Sequence, residues 1–102
     1  MKFKKFKHKE GDVVVTGCIF EPGMESGWYD HTKKTISPDK LNNDDVPFVV
    51  SFVAGKETPV LITGEQPVYV VKYDRKQEDG TQKVYTFIWP QEWFEDNYEL
   101  VN

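Results

Sequence analysis

Apolar residues fall in short runs cut by glycine and proline. Val13-Val14-Val15-Thr16-Gly17-Cys18-Ile19-Phe20 follows the turn pair Gly11-Asp12. Its continuous β-branched character predicts a strand covered at least partly on both faces. Val46 to Ala54 predicts a second strong strand, with Pro47 near its start, where a missing N–H is tolerated. Val60-Leu61-Ile62 predicts a short third one.

Between the first two strands lies Glu21 to Asp45, rich in Gly, Pro, Asn and Asp, which is expected to be a long irregular loop. Structureless stretches of that length are uncommon in compact domains and tend to be functional, mobile or in fact structured. Ser37-Pro38-Asp39 offers a cap, a first-turn proline and an early acid, so a helical turn through Leu41 is expected.

Val68 to Trp89 predicts a hairpin, and its register follows from the turn. A two-residue Asp79-Gly80 loop would set Lys76 against Lys83 and Tyr73 against Thr86. A three-residue loop, Glu78-Asp79-Gly80, puts glycine where positive φ is needed. It also pairs Tyr73 with Tyr85, Val71 with Phe87 and Tyr69 with Trp89, aromatic and β-branched pairs each worth about 0.2–1 kcal/mol. The second register is the better one. Its base should be buried on both sides and its tip solvated. Pro90 cannot extend a ladder but suits the first turn of a helix over Pro90–Asp96, carrying Trp93 and Phe94, with Glu92 at the positive end. Asn97 can end that helix, and Tyr98 to Val101 is a last short strand.

Composition supports the same picture. Seven Phe, five Tyr and three Trp supply a core for a chain of 102 residues, with Ala54 the single alanine. Together these features predict a mostly β fold: a small antiparallel curled sheet or partly open SH3-like barrel of five to six strands with a short C-terminal helical turn. The span 1–102 is expected to be one β-rich domain, with 1–10 a basic arm or edge strand, 21–45 the loop and 68–89 the hairpin.

Charge adds an asymmetry. The net charge is −4, yet Lys2, Lys4, Lys5, Lys7 and Lys9 are unopposed in the first nine residues, and the remainder carries 17 acids against eight bases. Such an acidic body repels nucleic acid and suits a basic protein surface, or it serves solubility alone. The lysine arm, interleaved with Phe3 and Phe6, is the alternative nucleic-acid element; otherwise one of its rings docks on the core and the lysines guard an edge. Cys18 stands alone, no secretory or membrane-spanning segment is visible, and a cytoplasmic location is expected.

Nothing in the motifs calls for catalysis. His8, Cys18, Asp30 and His31 lack paired metal-ligand spacing, and no nucleophile elbow, phosphate loop or dinucleotide fingerprint occurs. No metal or cofactor is expected, and the protein is read as a binding protein rather than an enzyme. Gly27-Trp28-Tyr29-Asp30-His31 is the segment with most to offer a partner. Trp28 and Tyr29 would be anchors, with His31 beside them and Asp30, Asp44, Asp45, Glu78 and Asp79 presenting charge to a basic groove. The competing expectation is that both rings fold back as a lid over the sheet.

The carboxyl end, from Val68-Tyr69-Val70-Val71-Lys72 through Phe87-Ile88-Trp89-Pro90 to Phe94-Glu95 and Tyr98-Glu99, resembles the end of small phage and prophage proteins marked by a Pro-Gly-Asp-Tyr-Gly stretch. Thr63-Gly64-Glu65-Gln66-Pro67 stands near where that stretch would fall. Phe6-Lys7 with Gly11-Asp12-Val13-Val14 is similar to the opening of many SH3-like barrels. Both resemblances imply a small barrel or curled sheet and neither implies a known activity; the first supplies only the phage association of the expected function, an accessory protein that binds and modulates a host protein. The rival function is a structural module of a virion or larger assembly, a homo-oligomer built through an open sheet edge.

Overall fold

β-branched and aromatic runs separated by glycine turns produce strands in both halves of the chain, which the computed structural model describes over residues 2–101. In order they are β1 (Lys4–His8), β2 (Val14–Ile19), β3 (Gly27–Asp30), β4 (Thr35–Ser37), β5 (Val46–Val53), β6 (Lys56–Leu61), β7 (Val68–Lys76) and β8 (Gln82–Pro90). The helix α1 (Gln91–Asn97) and the strand β9 (Tyr98–Leu100) follow. The fold is mostly β, with two antiparallel sheets, one of them curled, and one short helix.

Contacts divide the span expected as one domain into two units. The terminal unit comprises residues up to Phe20 together with those from Pro67 onward, and the inserted unit is Glu21–Gln66.

In the terminal unit the sheet order is β8-β7-β2-β1-β9. Strand alternation puts Phe6, Val15, Tyr69, Val71 and Tyr98 on one face. All five are buried there, with Phe87 and Trp89 packed against them. Phe94 is delivered to this face by α1 and is fully buried. Its ring lies 4.4 Å from Tyr69, 4.8 Å from Phe6 and 4.9 Å from Tyr98, centroid to centroid. Gly17 lies beside it, where a Cβ would meet the Phe94 ring at an ordinary contact distance of 3.4 Å. Pro90 ends β8 and precedes α1, so the helix begins one residue later than expected.

The hairpin has the expected register: Tyr69 faces Trp89, Val71 faces Phe87 and Tyr73 faces Tyr85. Gln77 N–H donates to the Thr81 carbonyl at 2.7 Å, and Gly80 takes φ +88° in the three-residue loop. Val70 and Val71 are both buried, so the base is covered on both sides, and the tip is exposed. β1 pairs with β2 on one side and β9 on the other. The lysine segment is therefore an inner strand, not an arm or an edge.

In the inserted unit the order is β4-β3-β5-β6. Glu21 to Asp45, expected as one irregular loop, contains the hairpin β3–β4, and the segment from Ser37 to Leu41 bends without a helical turn. The Ser37 hydroxyl caps Asp39 N–H, but nothing continues into a helix. A tight turn at Ala54-Gly55, both with positive φ, joins β5 to a β6 that is longer than Val60–Ile62 alone suggests. Phe48 and Val49 are buried, and Gly27 lies directly beneath the Phe48 ring.

Candidate functional site

Asp30 makes the β3–β4 turn possible. One carboxylate oxygen accepts the Thr32 and Lys33 N–H groups at 2.8 and 3.1 Å, and its backbone carbonyl accepts Lys34 N–H at 2.8 Å. The second oxygen accepts the Asn42 amide at 3.1 Å. Lys34 can then adopt φ +56° at the tip, a conformation that local hydrogen bonds must support in a residue with a Cβ.

Trp28 and Tyr29 are consecutive on β3, so their side chains leave opposite faces of the sheet. They do not form one patch. Trp28 is half-buried, with the Lys40 ammonium 5.0 Å from its ring centre. Tyr29 meets the His31 ring edge-on at 5.3 Å. Register places Tyr29 between Ile36 on β4 and Val46 on β5. The neighbouring row on the same face is Gly27, Phe48 and Leu61. Ile36 is 55 % exposed and Leu61 38 %, so these two rows leave apolar surface open to solvent.

Of the acids, Asp45 is buried and its carboxylate accepts the Leu41 and Asn42 N–H groups at 2.9 and 2.8 Å. The Asn42 N–H, with that of Leu41 behind it, holds this carboxyl below the usual range although burial pushes the other way. Asp44 beside it is exposed. Asp30 and Asp45 thus serve the chain's own turns, and Asp44 faces solvent.

Glu78 and Asp79 belong to the terminal unit, at the hairpin tip. Asp79 accepts the Thr81 hydroxyl at 2.6 Å and its N–H at 3.0 Å, which lowers its pKa. An open cavity of about 380 Å³ at this tip is lined by Arg75, Lys76, Gln77, Glu78 and Asp79, whose charges cancel. Lys5 and Lys7 project from β1 on the face opposite Phe6, with Lys7 across from Glu99. Lys4, Lys5 and Lys9 are exposed, as is Lys2 just outside the strand.

Cys18 is buried and its thiol donates to the Ile19 carbonyl at 3.1 Å. Among the described residues no three His, Cys, Asp or Glu side chains gather as a metal site, and no helix is long and apolar enough to cross a membrane. Sequence reasoning passed over Ile36 and Leu61. Thr35-Ile36-Ser37 does alternate, and that was the available signal. Comparisons with family models, with curated proteins and with solved structures give no match.

Proposed function

We propose that the protein is a non-enzymatic binding module that engages a basic host protein in the cytoplasm and modulates it, as an accessory protein of a phage or mobile element would. The observation that carries this is the face of the inserted unit where the exposed Ile36 and Leu61 stand in adjacent rows, with half-buried Tyr29 and Val46 between them and buried Phe48 beneath. Large apolar side chains held in solvent on a rigid sheet favour association over solubility. The inserted unit carries eight acids against four lysines, a charge that steers a basic partner towards it. The phage association rests on the resemblance of the carboxyl end.

The test uses a photoreactive amino acid at Ile36 in the full chain, irradiated in host lysate. One cross-linked protein is expected, and Ile36→Asp should abolish its capture while leaving the circular dichroism spectrum unchanged. Undiminished capture by folded Ile36→Asp removes this face from the interface. A ring or higher oligomer formed through the same position would instead assign the protein to an assembly.

A further inference from the structure

Two half-buried aromatic rings elsewhere in this chain are topped by its own cations. Lys40 sits 5.0 Å above Trp28, and Lys83 sits 5.1 Å above Tyr85. Trp93 on α1 differs. It is 46 % exposed, its indole is braced edge-on by Trp89 at 5.0 Å, and no cation lies over it among the described residues.

Its own stretch of chain is acidic, with Lys7 across from Glu99 and the Lys9 N–H on the Asn97 carbonyl at the end of α1. Residues 84–101 carry Glu92, Glu95, Asp96 and Glu99 and no Lys, Arg or His. Glu95 is occupied, accepting the Tyr69 hydroxyl and the Gln91 amide, and Glu99 stands across from Lys7. Glu92 and Asp96 are exposed and take no hydrogen bond or ion pair among the described residues. On a helix, Asp96 is a surface neighbour of Trp93 (three residues on) and of Glu92 (four residues on). Two like charges one turn apart repel, and an acid in the last turn opposes the helix dipole, where α1 has no base. This arrangement costs the helix stability and leaves two exposed carboxylates without an ion pair on the helix that carries the indole, Asp96 one turn from Trp93.

We propose that Trp93, Glu92 and Asp96 form a docking site for an arginine side chain of a partner protein. A guanidinium is planar and weakly hydrated, so it stacks on an indole while its N–H groups reach carboxylates. Phosphate-bearing partners are repelled by the same two acids. The site lies wholly in the terminal unit and does not depend on the inserted unit's apolar face binding anything.

The probe is an acetylated, amidated (Arg-Gly)4 peptide titrated into the full-length protein at low salt, with its citrulline counterpart as the neutral control. The indole N–H resonances are followed by NMR and assigned by Trp→Phe exchange. The Trp93 resonance should move with the arginine peptide and not with the citrulline one. Trp93→Ala should weaken binding roughly three- to fivefold, and Glu92→Gln with Asp96→Asn should weaken it similarly and flatten its salt dependence. The two charge-neutral substitutions sit at exposed positions, so they decide the matter even if Trp93→Ala disturbs α1. Equal binding of both peptides, unchanged affinity in the charge variant, or movement of Trp28 alone overturns the proposal. So does movement of Trp93 when the protein alone is concentrated, which would make a second copy the occupant.

Discussion

The terminal and inserted units solve the same problem, covering one face of a small sheet, with different means. In the terminal unit rings cover rings: Phe94 descends from a helix onto Phe6, Tyr69 and Tyr98, and nothing of it remains exposed. In the inserted unit one ring, Phe48, packs against a glycine, and Ile36 and Leu61 on the same face stay open to solvent. The difference follows from the elements available. A helix can bring a large side chain over a sheet, whereas four short strands without one can only press their own side chains against their own backbone. The helix gives the terminal unit a fully buried ring at the centre of its face; the inserted unit, without one, leaves Ile36 and Leu61 exposed on its own.

The sharpest way to break this contrast is to remove the plug. Phe94→Ala should cost about 3–5 kcal/mol in urea denaturation, the range for deleting a buried aromatic. A loss below about 1 kcal/mol would mean the aromatic cluster does not depend on its central ring. Next come the two glycines beneath rings. A Cβ at Gly27 would stand 2.7 Å from the Ser37 carbonyl and 2.8 Å from Phe48, so Gly27→Ala should cost about 1–3 kcal/mol through overpacking. Gly17→Ala meets only ordinary contacts at 3.4 Å and beyond, and a strand residue gains about 0.5–1 kcal/mol from replacing glycine. Its effect should be near zero or stabilising. Equal losses at both positions would erase the distinction between a ring with room and a ring without.

pH supplies the smallest and most local discrimination. Asp45 has a depressed folded pKa, owing first to Asn42 N–H, so its contribution is present above the ordinary carboxylate value and is lost as pH falls through the folded one. Tyr69 and Tyr98 run the other way. Burial first, and for Tyr69 the Glu95 carboxylate as well, raises both phenols. Their contribution is present below the ordinary phenol value and lost as pH rises through the raised one. Acid should therefore loosen the Leu41 and Asn42 amides before the terminal core, and alkali the reverse, as read by amide NMR along the titration. Asp45→Asn should remove the acid limb of that behaviour. Simultaneous loosening of both units at both extremes would show that the two do not differ in this respect.

How much of this was written in the chain depends on the distance over which each feature is encoded. The 68–89 hairpin was legible because one turn glycine and three cross-strand pairs agree on a single register. The strand Val46–Val53 and the helix after Pro90 were legible from local patterns as well. The β3–β4 hairpin was not. Its strands have four and three residues, and its turn is stabilised by one carboxylate, on Asp30, that reads in sequence as a free surface acid. Ala54-Gly55 was missed because alanine is a poor sign of positive φ. The candidate site was half visible. Tyr29 could be singled out by type, whereas Ile36 and Leu61 join it only through pairings made by register. Trp28 and Tyr29 looked like one anchor because adjacency in sequence hides the alternation of a strand.

The chain leaves the terminal sheet after β2 and re-enters it at β7, and those two strands are antiparallel neighbours. At the crossing point Phe20 N–H donates to the Val68 carbonyl at 2.9 Å, so departure and return share one rung. Glu21–Gln66 is thus an elaborated hairpin loop, a cassette spliced between adjacent rungs. Closing such a loop costs entropy that grows only with the logarithm of its length. Evolution could therefore lengthen, shorten or exchange the cassette without rewriting the register of the strands that carry it. Variation in binding preference would concentrate between Phe20 and Val68, and constancy in the ladder on either side.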